Sequence, residues 1–252
     1  MELTALTLSR MGRMLRVAMV GGTLNRALIA QLHQALDHAE AEGLRILMLE
    51  GADPDLFCDG MDFAEALGTR MEADAVPQAI QQFFDLLKRF TITPVVVVAL
   101  VEGRVNAGGM GLVAAADVVV AGPGASFGLS EILFGLVPAV VAPFLIRRIG
   151  WQAAYRLSLT AERIDSRRAA ALTLVDELAD DPRDALRRLA IRLDRTRADG
   201  VAALKGHFSA LHAIDDETGR RSVELIARLV SDPRTLAGIR DFLQGSGVPW
   251  RT

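Results

Sequence analysis

Residues 94–138 constrain this chain more than any other stretch. Pro94 heads seven apolar residues without a break, 95–101, a run too short to cross a bilayer and suited to a strand buried on both faces. Asn106-Ala107-Gly108-Gly109-Met110-Gly111 follows, and then small apolar residues lead to Asp117. That order predicts a strand, a tight glycine turn and a helix packed closely on its neighbours. Glycines at such a turn let backbone N–H groups approach a ligand, and a helix N-terminus adds partial positive charge. Further on, Phe127-Gly128-Leu129-Ser130-Glu131 places one acid inside an apolar segment. A turn of donors beside an isolated, buried carboxylate has the parts to stabilise an oxyanion and to move a proton.

The rest of the composition narrows the class. At 252 residues the chain can bury a full core, and we divide it into a core over 1–197 and a helical region over 198–252. Mean hydropathy is positive, yet no apolar run reaches transmembrane length, and residues 1–15 alternate like a strand with no signal-peptide core. The expectation is a cytoplasmic protein without a membrane partner. A net charge of −3 leaves no electrostatic footprint for nucleic acid. The lone Cys58 excludes an internal disulfide, and histidines 33, 38, 207 and 212 have no metal-ligand spacing, so no metal is expected.

Strands are expected over 3–8 and 15–20, joined at Gly12, and a further strand over 45–50. A helix capped by Asn25 runs between them to Glu42, with Leu28, Leu32, Ala35, Leu36 and Ala39 on one face. Another helix, 76–90, feeds Pro94. Alternating strands and helices up to residue 130 indicate an α/β core. Beyond it the periodicity predicts helices over 139–149, 152–159, 166–172 (capped by Ser166), 184–197, 201–213, 217–230 and 235–243, with a short strand at 174–178. No fixed-period repeat or low-complexity linker is present.

Several segments together carry a family resemblance. They are Phe57-Cys58-Asp59-Gly60-Met61-Asp62-Phe63, residues 103–117, Ser126-Phe127-Gly128-Leu129-Ser130-Glu131 with Phe134-Gly135-Leu136-Val137-Pro138, and Leu159-Thr160-Ala161-Glu162-Arg163-Ile164-Asp165-Ser166. In this order they resemble the crotonase (enoyl-CoA hydratase/isomerase) superfamily. Gly103-Arg104-Val105-Asn106-Ala107-Gly108-Gly109, Leu133-Phe134-Gly135-Leu136, residues 143–150 and Val248-Pro249-Trp250 are similar to one branch, the hydroxymethylglutaryl-acyl-carrier-protein dehydratases of polyketide β-branching cassettes. The resemblance implies a spiral of ββα units followed by a helical trimerisation region, assembled as a homo-trimer or hexamer. It implies oxyanion-hole donors at the backbone N–H of Met61 and Gly108, with Gly60, Asp62, Asn106 and Gly109 at the substrate. The family's hydratases use two catalytic glutamates. One maps onto Glu131; the other maps onto Gly111, which has no side chain, so a two-glutamate mechanism does not carry over.

The expected function is therefore dehydration of a 3-hydroxyacyl thioester, 3-hydroxy-3-methylglutaryl on an acyl carrier protein, with Glu131 as acid/base. The substrate travels as a phosphopantetheine or CoA thioester and no further cofactor is implied. A double-bond isomerase, a CoA-linked hydratase and a non-catalytic carrier-docking protein are the alternatives. Plainer readings stand beside the site residues. Gly108 and Gly109 suit close helix packing, Asp62 suits a helix cap, and Asp59 suits holding a water or donor near the site. Glu131 could cap a helix or pair with Arg147 or Arg148, and those two arginines suit structural ion pairs rather than a clamp on the substrate's free carboxylate. Asp117 suits core structure, Cys58 packing, and Lys205 a surface contact to a phosphate or carrier.

Overall fold

The computed structural model describes residues 4–61 and 75–243. Strands β1 (Leu6–Met11) and β2 (Met14–Met19) form an antiparallel hairpin, and β2 pairs in parallel with β3 (Ile46–Gly51). Strands β5 (Val96–Val101), β7 (Val118–Ala121) and β10 (Glu177–Leu178) extend this to a six-stranded sheet in the order β1-β2-β3-β5-β7-β10. The unbroken apolar run of β5 has a direct cause. Val97, Ala99 and Val101 enter the main core, while Val96, Val98 and Leu100 enter a second core on the opposite face. Successive strand side chains point to opposite faces, so only an element covered on both sides is apolar at every position.

Helix α1 (Arg26–Ala41) and α2 (Ala75–Ile92) lie over the first face, and α7 (Pro182–Leu193) supplies Ala185 and Leu186 to the second. Asn25 caps α1 by accepting from the Leu28 N–H at 2.8 Å, as the sequence predicts. A second, four-stranded sheet stands beside the first in the order β4-β6-β8-β9: Leu56–Cys58, Arg104–Asn106, Ser126–Gly128 and Ile164–Asp165. Strands of two or three residues are too short for an alternating pattern, so the sequence reading missed this sheet.

The glycine turn opens α3 (Gly108–Ala115), every residue of which is buried. Helices α4 (Ala142–Ile149), α5 (Trp151–Thr160) and α6 (Ser166–Ala171) follow. Several boundaries differ from expectation, among them the starts of α4 and of the helix Ala198–Leu211 and the short strand β10, and two of the shifts follow from capping. Asp165, not Ser166, caps α6 through the Arg168 N–H, and the Ser166 hydroxyl is buried and donates to the Pro123 carbonyl. Helix α7 begins at Pro182 because Asp181 caps it through the Asp184 N–H.

Helices α8 (Ala198–Leu211), α9 (Asp216–Val230) and α10 (Pro233–Leu243) complete the described chain. Helix α9 packs on α2 so closely that a methyl on Gly219 would lie 2.6 Å from the Phe84 ring. No helix of the described residues is long and apolar enough to cross a membrane.

Candidate active site

The site forms where the small sheet ends. Strand β4 runs into Asp59-Gly60-Met61, β6 into Ala107-Gly108, and β8 into Leu129-Ser130-Glu131. Gly60 has φ +93°, and a side chain there would meet the Ala107 methyl at 2.7 Å and the Gly108 nitrogen at 3.0 Å. Only glycine fits a left-handed backbone pressed against a neighbouring amide. The Gly60 carbonyl accepts from the Leu24 N–H at 2.7 Å, and a trans peptide then turns the Met61 N–H the opposite way. The Ala107 carbonyl accepts from Met110 at 2.9 Å, which likewise turns the Gly108 N–H outward from the first turn of α3, where it has no intrahelical partner. Ala107 itself sits at φ 46°, unusual for a residue with a side chain, and its N–H is held by the Gly128 carbonyl at 3.0 Å.

Met61, Ala107, Gly108 and Glu131 share a cavity of about 110 Å³. Its other walls are apolar: Phe83 from α2, the loop 136–141, and Ile226 and Val230 from α9. Among the described residues no basic side chain lines it. Glu131 opens a short 3-10 turn, Glu131–Phe134, which Gly135 closes in a left-handed conformation. The residue is half-buried as a whole, but its Oε2 is shut off from solvent and has no hydrogen-bond partner. Burial pushes its pKa up to about 7, with the N–H groups of Glu131 and Ser130 pulling it partly back.

A methyl on Gly111 would meet Leu87 Cδ1 at 2.9 Å, the Phe83 ring at 3.2 Å and Val141 at 3.2 Å. The position of the family's other glutamate is thus filled by apolar neighbours as well as lacking a side chain. Gly109 serves packing, since a Cβ there would stand 2.6 Å from the Cys58 carbonyl oxygen. Asn106 directs its amide nitrogen to the Ser130 hydroxyl at 3.0 Å. Asp62 lies outside the described residues, as do Val248, Pro249 and Trp250.

Other expectations need correction. Asp59 holds no open position near the site, because Arg104 grips both its oxygens at 2.7 and 2.6 Å. Glu131 pairs with neither Arg147 nor Arg148. Arg148 pairs with Asp176 and donates to the carbonyls of Ala116 and Leu174, while Arg147 donates to the Ala114 carbonyl at the end of α3. Lys205 is no surface residue. Only 8% exposed, it donates to the carbonyls of Phe90 and Val95 and pairs with Asp117 at 2.5 Å. Asp117 is structural as expected, accepting also from the Val97 N–H. Cys58 is buried, and burial lifts its thiol to about 12, which makes it an inert packing residue. Sequence reasoning missed the roof of the cavity. The apolar stripe of 217–230 was legible, but not which surface it would cover.

The enoyl-CoA hydratase/isomerase profile matches residues 18–244. The chain is an enzyme of that family. It is 36% identical over 231 residues to the bacillaene synthase dehydratase PksH of Bacillus subtilis, covering 90% of this chain and 88% of PksH. The crystal structure of PksH superposes with a TM-score of 0.90 at 30% identity, covering 98% of this chain and 100% of that one. Methylglutaconyl-CoA hydratase of Homo sapiens is 27% identical over 177 residues, 69% of this chain and 52% of the relative. The crotonase-type α/β fold expected from the motifs is the fold observed.

Proposed function

We propose that this enzyme removes water from a 3-hydroxyacyl thioester, and that the acyl group is 3-hydroxy-3-methylglutaryl on an acyl carrier protein, leaving 3-methylglutaconyl during polyketide β-branching. The observation that carries the reading is Glu131: a carboxyl with one oxygen, Oε2, buried and without a hydrogen-bond partner, in the cavity that Met61 and Gly108 also line. The names of two relatives, a bacillaene synthase dehydratase whose crystal structure is described as a polyketide biosynthesis enoyl-CoA hydratase and a methylglutaconyl-CoA hydratase, support the substrate class.

In this mechanism the thioester oxygen accepts from the Met61 and Gly108 N–H groups. Glu131 takes the proton from C2, and the electron pair left behind is held as an enolate whose oxygen those amides stabilise. Loss of one such donor typically costs about 3 kcal/mol. The enolate then re-forms the carbonyl, C2 and C3 become doubly bonded, and the C3 hydroxyl departs with the proton that Glu131 returns, as water. One acid serves both steps when proton and hydroxyl leave from the same face. A pKa of about 7 suits this work, since the group can both accept and return a proton near neutral pH. No resident cofactor is needed beyond the phosphopantetheine or CoA arm of the substrate. The distal carboxylate of the acyl group must find its cation beyond the apolar walls of the cavity. Exposed apolar stripes on α5 (Trp151, Tyr155, Leu159) and α8 (Leu204, Phe208, Leu211) support assembly as a homo-trimer or hexamer.

The experiment is mass spectrometry of hydroxymethylglutaryl-carrier protein incubated with the enzyme, with the CoA thioester in parallel. Loss of one water from the carrier form is the expected result; an unchanged mass on both carriers rejects the proposal. The blocked Gly111 position also favours a second reading, double-bond isomerisation, for which one proton shuttle suffices. Conversion of a 3-enoyl thioester with no action on the 3-hydroxyacyl form would select it.

A further inference from the structure

The ladder between β6 and β8 ends at the pair Asn106 and Gly128, and its last backbone bond runs from the Ala107 N–H to the Gly128 carbonyl. Beyond that point the two segments part. One enters α3 and presents the Gly108 N–H; the other enters the turn that carries Glu131. The relative placement of donor and acid is therefore decided at a fork, just where main-chain pairing stops.

One side-chain hydrogen bond spans the fork. Asn106 reaches along the neighbouring segment past Gly128, its ladder partner, and donates from Nδ2 to the Ser130 hydroxyl at 3.0 Å. A side chain's Cβ at Gly128 would lie 3.4 Å from the Asn106 Oδ1, so the amide runs in van der Waals range of this backbone. Asn106 stands two residues before Gly108, and Ser130 one residue before Glu131. No residue of the acid's own turn is fully buried, so burial by itself does not fix the turn. The adjoining Ala107 is held at φ 46°, a conformation that persists only where its surroundings enforce it.

We infer that Ser130 is a positioning residue: clasped by Asn106, its hydroxyl sets Glu131 against the Gly108 donor, so that one bound thioester meets both groups at once. Ser130 touches no substrate in this scheme and acts through its neighbour. The inference rests on the dehydratase reading above, in which Glu131 moves the proton. Removing the hydroxyl leaves the acid in place but loosely aimed, and small displacements of a reacting group are costly in rate.

The test is steady-state kinetics with the hydroxymethylglutaryl thioester on wild type, Ser130→Ala, Ser130→Thr, Asn106→Ala and the double alanine variant, with Glu131→Gln alongside. Ser130→Ala is expected to lower kcat by about 10- to 100-fold with KM within about threefold of wild type, and Ser130→Thr, which keeps the hydroxyl, to recover most of kcat. Because the two residues act as one clasp, the double variant should be no worse than the poorer single one. Wild-type kcat in Ser130→Ala, failure of Ser130→Thr to recover, or losses that multiply in the double variant would each overturn the inference. The control separates the two claims. An inactive Glu131→Gln beside an unaffected Ser130→Ala removes only the clasp, whereas an active Glu131→Gln removes the dehydratase mechanism and the clasp with it.

Discussion

Each end of helix α3 has a carboxyl near it, Asp117 just past the C-terminus and Glu131 in the cavity that Gly108 lines at the N-terminus, and the surroundings treat the two in opposite ways. At the C-terminal end Asp117 is raised in pKa by burial, yet it keeps Lys205 at 2.5 Å and the Val97 N–H at 2.7 Å. Burial lowers the pKa of Lys205, and Asp117 opposes that shift. At the N-terminal end Glu131 is raised by burial to about 7, and its Oε2 has no partner at all. A charge without a partner is expensive to bury, and folds that only need stability pair it. The difference teaches where this protein keeps its chemistry: the satisfied end holds the architecture, and the unsatisfied end is left open to a substrate.

The comparison breaks if both acids matter in the same way. Glu131→Gln should lower kcat by about 10²- to 10⁴-fold with little change in thermal stability, measured by single-turnover dehydration and a melting curve. Lys205→Met should do the reverse. It strands Asp117 and should cost about 3–5 kcal/mol in chemical denaturation, while the folded fraction keeps wild-type kcat. If Lys205→Met leaves stability untouched, the satisfied end is not holding the fold.

Two smaller effects sharpen the contrast. Gly111→Ala should cost about 1–3 kcal/mol, because its methyl presses on Leu87, Phe83 and Val141; urea midpoints measure it. Unchanged stability would mean that the space of the missing glutamate is open. The smallest effect is on pH. Folding raises the Glu131 pKa from 4.5 to about 7, so the folded state binds that proton more tightly. Its stabilising contribution is complete below pH 4.5 and is lost as pH climbs through about 7. Glu131→Gln should flatten that slope in a pH series of melting temperatures. Activity runs the other way, since the C2 proton needs the ionised acid, and kcat/KM should rise through the same interval.

Much of the frame was legible beforehand, for reasons that lie in particular residues. Residues 95–101 are apolar at every position because β5 is covered on both faces, and the shorter runs 46–49 and 118–121 of β3 and β7 alternate between the same two cores. Asn25 announces α1 because its side chain satisfies an amide three residues on, a bond that stays within one turn. The small sheet escaped notice although it carries the site, since Leu56–Cys58 and Ser126–Gly128 are too short to show a period. Lys205 was misplaced on the surface because its partners, Phe90, Val95 and Asp117, are remote in sequence. The sequence could not say which donor Asp59 holds, because Arg104 sits on a strand too short to show a period.

The amino-acid order by itself determined the buried strand, the glycine turn after it, the isolated acid at 131 and the absence of an acid at 111. These depend on near neighbours, on backbone freedom and on the type of side chain present. Only the tertiary structure decided that the Glu131 Oε2 is left without a partner while Asp117 is given a lysine, that Ile226 and Val230 close the cavity from the far end of the chain, and that Asn106 reaches Ser130. Periodicity records which face of an element leaves water; the identity of what it meets there depends on how distant segments pack together, and the pKa of a buried acid follows from that meeting.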